Sequence, residues 1–141
     1  SVPLDPCNTE GTGASSTPYD NCAYWAAETR PDVLVNAVWK YGYSNKRPGA
    51  WRILVDAKKA GYATSHKPRA GDLAAWGRSD PMGSAPGGVT YTASPGGHVA
   101  YVEKVLSKSK IVMSSMGTGA AGGETTTLRF DKKHTSFIHH M

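Results

Sequence analysis

At 141 residues, 39% of them hydrophobic and 19% charged, the chain has the composition of one folded domain, which excludes disorder throughout. Its apolar runs, such as Ile53-Leu54-Val55 and Leu73-Ala74-Ala75-Trp76, fall far short of the roughly 20 residues of a spanning helix, so no membrane span is expected and the chain reads as soluble. The formal charge of +5 is scattered over residues such as Lys58-Lys59, Lys67, Arg69, Lys108 and Lys132-Lys133, which argues against a nucleic-acid groove but suits attraction to an anionic polymer.

The chain opens at Ser1 with neither a methionine nor an apolar signal segment, as a mature or shortened form would. Residues 1–19, rich in Pro, Gly, Ser and Thr, predict an irregular arm ahead of a domain over 20–141. Asp20 is a natural N-cap, and Tyr24, Trp25 and Ala27 support a helix that starts around Cys22 and is ended or restarted by Pro31. A second helix is predicted over Asp32–Trp39, until Tyr41-Gly42-Tyr43-Ser44-Asn45 breaks it. A third is predicted over Ala50–Ala60, with Trp51, Leu54, Val55 and Ala57 inward and Gly61 as its stop. Short β-prone runs follow at Asp72–Trp76, His98–Leu106, Lys110–Met116, Thr125–Phe130 and Ser136–His139. Helices followed by strands imply an α+β domain with an antiparallel sheet. The Gly/Pro/Ser-rich stretch Gly77–Gly97 reads as a long loop rimming a site, and Gly119–Gly123 as a short turn without a phosphate-loop lysine.

Two cysteines allow a Cys7–Cys22 disulfide, two buried thiols, or one reactive thiol with a bystander. The reactive reading of Cys22 is preferred, because a thiol in the first turn of a helix meets unpaired amides and the positive end of the helix dipole, both of which favour the thiolate. Bonding Cys22 would abolish that nucleophilicity. Among five histidines, His98 stands out because it follows Gly96-Gly97 and opens an alternating strand. There Val99, Tyr101 and Glu103 face one way, and the small Ala100 leaves room for an approaching helix. Cys22 and His98 are the expected nucleophile and general base. His66 and His134 lie in polar surroundings, and adjacent His139-His140 point to opposite faces without an acidic neighbour, so neither a metal nor any other cofactor is expected. Trp76, Tyr91 and Tyr24 are candidate substrate-contacting aromatics, Tyr91 being the best exposed of the aromatics weighed for a groove.

Asn21-Cys22-Ala23-Tyr24-Trp25-Ala26 with Arg30 after it, Pro68-Arg69-Ala70-Gly71-Asp72-Leu73-Ala74-Ala75-Trp76, and Gly97-His98-Val99-Ala100-Tyr101-Val102-Glu103-Lys104-Val105 occur in the order that resembles the CHAP family, the cysteine- and histidine-dependent amidohydrolases/peptidases. The resemblance spans about Pro18–Phe130. It implies a papain-like α+β fold and cleavage of amide bonds in bacterial peptidoglycan, as an N-acetylmuramoyl-L-alanine amidase or an endopeptidase. By the same resemblance, Cys22 is the nucleophile and His98 the base. Members occur as phage endolysins, autolysins and antibacterial effectors. That implies secretion or delivery to the wall or periplasm, a monomer, and partners limited to peptidoglycan and an immunity or wall-binding protein. The family's third position, an acid or Asn after His98, falls on Ser115 here, with Glu124 and Asp72 as substitutes. A serine at that position also raises a second reading, a catalytically weak or silent wall-binding module that keeps the fold.

Overall fold

The computed structural model describes residues 2–3, 22–38, 49–115 and 124–141. The Asp20 cap, Asn21, Cys7, the side chain of Tyr24, the break at 41–45 and the turn at 119–123 lie outside the described residues. Within the arm read as irregular, β1 (Val2–Pro3) pairs in parallel with Tyr91–Thr92.

Helix α1 (Cys22–Thr29) ends where the sequence places its stop. Arg30, ahead of a proline, leaves the helical region at φ −134° and ψ 66°, and Pro31 then sits at the first position of α2 (Pro31–Val33). Instead of the single regular helix expected over 32–39, α2 widens into a π-helical turn, Leu34–Val38. Helix α3 (Trp51–Lys59) buries Ala50, Ile53 and Ala57, a stripe rotated from the expected one, with Val55 left on the surface. Gly61, at φ 97°, ends it: its amide and that of Tyr62 bond back to the carbonyls of Lys58 and Ala57.

The strands are β2 (Thr64–Ser65), β3 (Leu73–Trp76), β4 (Pro81–Ser84), β5 (Thr90–Thr92), β6 (His98–Ser107), β7 (Lys110–Ser115), β8 (Glu124–Phe130) and β9 (Ser136–Ile138). The stretch 77–97, expected to be one loop, instead holds the β4–β5 hairpin. Its turn is shaped by Gly87 and Gly88 at φ 92° and 91°, where a residue with a Cβ would be strained. Among the described residues the order is β1-β5-β4-β8-β7-β6-β3-β9-β2, and every pair except β1–β5 is antiparallel.

Alternation divides the sheet's side chains between two cores. Leu73, Ala75, Val99 and Ile138 meet Cys22, Ala23, Ala26, Val33, Leu34, Ile53 and Ala57 on the helical face. Ala74, Trp76, Ala100, Val102, Ile111, Met113, Leu128 and Phe137 fill the other. Met82 of β4 and Phe137 of β9 share that second core although four strands of the sheet separate them in order, so the sheet curls around it. This is the expected α+β architecture, with helices packed on an antiparallel sheet.

Candidate active site

Cys22 and His98 each open an element, and the two elements pack together: α1 lies chiefly on β6. The alanines Ala23 and Ala26 on the buried side of α1 permit that close approach. Cys22 is 1% exposed and disulfide-bonded, so the expected free thiolate is not its state in this structure. A bonded sulfur has no proton to lose and no charge for the helix terminus to stabilise. Cys7, the other cysteine of the sequence, lies outside the described residues.

The loop before His98 is built by close backbone approach. Ser94 and Gly97 form a tight turn, with the Gly97 amide donating to the Ser94 carbonyl at 2.8 Å and the Ser94 hydroxyl donating to the Gly97 carbonyl at 2.9 Å. Gly97 has φ 84°, and a Cβ there would lie 2.7 Å from the Trp76 carbonyl oxygen and 2.8 Å from the Trp51 nitrogen. Glycine is therefore required by both conformation and space, which explains the residue preceding His98. The Trp51 amide donates to the Gly96 carbonyl at 2.9 Å, fixing this loop to the start of α3. His98 is buried and paired across the sheet with Trp76, their ring centroids 5.9 Å apart.

Ser115, the expected orienting residue, pairs with Glu124. Since Tyr101 pairs with Ser114 on the helical face, Ser115 and Glu124 lie on the opposite face, the one carrying Ala100. Ser114 carries the hydroxyl network the sequence did not signal. The Trp25 Nε1–H donates to Ser114 Oγ at 2.9 Å, and the Ser114 hydroxyl donates to Glu103 Oε2 at 2.6 Å. This relay ties α1 to β7 and β6. Ser114→Ala is expected to cost about 1–3 kcal/mol in urea unfolding, because it strands the indole N–H and a half-buried carboxylate contact. Asp72 is already engaged elsewhere: its Oδ2 accepts the Arg69 amide at 2.7 Å and His139 Nδ1–H at 2.9 Å. It caps the turn that begins at Arg69, and His139 rather than His98 is its imidazole partner.

Of the aromatic candidates, Trp76 is a correction. It is 1% exposed, with its indole N–H donating to Thr135 Oγ1 at 2.7 Å, so it serves the core and cannot line an open groove. Tyr91 is half-buried and lines an open groove of about 490 Å³ with Pro81, Ser84, Thr90, Arg129 and Asp131. Tyr24 lies in α1, and nothing further is described of its side chain.

Arg30 is the anchor that composition could not reveal. It is 1% exposed, and all five N–H donors of its guanidinium are used. Nε and Nη2 grip the Asp32 carboxylate at 2.9 Å each, Nη1 donates to the carbonyls of Gly71 and Ile138, and Nη2 also to that of His139. The Tyr62 hydroxyl completes the Asp32 carboxylate at 3.0 Å. The C-terminal end of α1 is thereby fixed to the start of β3 and the end of β9.

A family model of the CHAP domain matches residues 12–117. A solved structure, an N-acetylmuramoyl-L-alanine amidase from Staphylococcus aureus, shares the fold at a TM-score of 0.55 and 20% sequence identity. The match covers 92% of this chain and 34% of that one, so the chain spans about a third of the amidase's length. No curated protein matches the chain by sequence. With the cysteine, the glycine-bound histidine and the elements from α1 to β7 within the matched span, the chain belongs to the CHAP family.

Proposed function

We propose that the protein hydrolyses amide bonds of bacterial peptidoglycan, with Cys22 as nucleophile and His98 as general base, once the disulfide on Cys22 has been reduced. The observation that carries this reading is the docking of α1 on β6, each opened by one member of the pair. In the reduced protein the Cys22 thiolate attacks the amide carbon, and the N-terminal turn of α1 stabilises the developing oxyanion. His98, protonated in the ion pair, donates its proton to the departing amine. Water then attacks the thioester, gives its proton to His98, and releases the acid and the thiolate. Ser115 and Glu124, paired across β7 and β8, are the residues we assign to orienting the ring.

One observation favours a second reading. The disulfide occupies the sulfur that chemistry requires, as it would in a silent wall-binding module that keeps the fold. Digestion of purified sacculi with reduced protein, followed by mass spectrometry of newly freed amino and carboxyl groups, tests the two. Appearance of a defined amine–carboxyl pair identifies the bond cut, and none from folded, reduced protein supports the silent module. Binding to sacculi should weaken as salt rises, because the +5 charge acts over a screening length of roughly 8 Å at physiological ionic strength. Salt-insensitive pelleting would indicate recognition of sugar or peptide instead.

A further inference from the structure

On the sheet face turned away from the helices, three residues distant in sequence form a hydrogen-bonded line. The Ser65 hydroxyl lies 2.6 Å from His139 Nε2, and His139 Nδ1–H donates to Asp72 Oδ2 at 2.9 Å. The register produces this line: Ser65 pairs with Phe137, and both Thr64 and Leu73 pair with Ile138, so His139 lies between Ser65 and Asp72 on one face. We propose that Ser65, His139 and Asp72 constitute a second nucleophilic site, with Ser65 as an acyl-accepting serine acting on small esters whose acyl part is anionic.

Each part has the environment its role needs. Asp72 and His139 are buried, while Ser65 is half-exposed on β2, the outermost strand of the sheet order. A buried carboxylate bonded to Nδ1–H fixes the tautomer that leaves Nε2 free to accept the serine proton. Burial pushes the Asp72 carboxyl above its ordinary value, and the Arg69 amide and His139 oppose that shift. The frame is rigid, since Arg30 holds the carbonyls of Gly71 and His139, which adjoin the carboxylate and belong to the imidazole residue. His66, next to Ser65, is pinned through Nδ1 to the Thr135 carbonyl at 2.7 Å. A pocket of about 460 Å³ opens beside this segment, lined by His66, Lys67, Pro68, Val105, Lys108 and Lys132. Three lysines around a small apolar floor select an acyl group that ends in a carboxylate or phosphate. In the reaction, Ser65 Oγ attacks the ester carbonyl and passes its proton to His139 Nε2. The alcohol leaves with that proton, and water, deprotonated by the same nitrogen, releases the acid and restores the hydroxyl.

The test treats the intact oxidised protein with a fluorophosphonate probe and maps the adduct by peptide mass spectrometry. The adduct is expected on Ser65, absent from Ser65→Ala, and formed about 100-fold more slowly in Asp72→Asn, since positioned general-base catalysis contributes that order. Labelling of Ser65 no faster than of the half-buried or exposed Ser84 and Ser109 would overturn the proposal. Should Asp72→Asn fail to fold, Ser65→Cys keeps the proposal open to refutation. Its thiol is expected to react with iodoacetamide near neutral pH about tenfold faster than free cysteine, because His139 draws off the proton, and ordinary reactivity would again overturn it. Turnover of p-nitrophenyl monosuccinate should exceed that of p-nitrophenyl acetate, with the preference lost in a Lys108→Glu/Lys132→Glu variant. Equal turnover of the two esters by the unaltered protein would refute the anionic class.

Discussion

Reduction of the protein with dithiothreitol is expected to raise sacculus lysis by at least about 100-fold, because a disulfide sulfur offers no thiolate and the covalent route is closed until one forms. Dye release from labelled sacculi, followed with and without reductant, measures this directly. Cys7→Ser should lyse without reductant, since only two cysteines exist and removal of one leaves Cys22 a thiol. Cys22→Ser and His98→Ala should be inactive under both conditions while keeping the wild-type near-ultraviolet circular dichroism. Substantial lysis by Cys22→Ser would remove the proposed nucleophile. Lysis by neither reduced wild type nor Cys7→Ser, both folded, would assign the chain to the silent wall-binding reading.

Arg30→Ala is expected to destabilise the fold by about 3–5 kcal/mol in urea unfolding, since each buried acceptor left without a donor costs about 1–3 kcal/mol. Three carbonyls and a carboxylate lose their donors together. Arg30→Lys should recover less than half of the loss, because one ammonium presents three donors where five are used. A loss under about 1 kcal/mol for Arg30→Ala would show the network to be incidental. The pH dependence carries a second signature. The hydrogen bond from Arg30 is the chief cause holding the Asp32 carboxyl below its ordinary value, against desolvation. A depressed carboxyl stabilises the fold above the unfolded value and loses that contribution as pH falls through the folded one, so this component fades below about pH 4. In Arg30→Ala the fading should be shallower, because the main cause of the depression is gone.

The helices and the strands β3 and β6 to β9 could be read from residue spacing, because each depends on local pattern: Pro31 after Arg30, Gly61 after α3, Gly97 before His98. The Gly77–Gly97 stretch misled for the same reason, since a Gly/Pro-rich hairpin carries no period of its own and is made by pairing with β8 and β1. Trp76 looked like a groove aromatic, yet the curl of the sheet encloses it, and curvature is a property of all the strands together.

Sequence by itself determined the family, the α+β order and the two residues that open α1 and β6, since a helix start and a glycine-bound strand start are local events. Tertiary structure alone decided that Cys22 is bonded, that Ser114 rather than Ser115 links α1 to the sheet, that Arg30 spends all five donors in the core, and that Asp72 faces His139. Each of those is a contact between segments far apart in the chain. No spacing rule encodes such contacts: they follow from strand register and from the need to satisfy every polar group that folding removes from water.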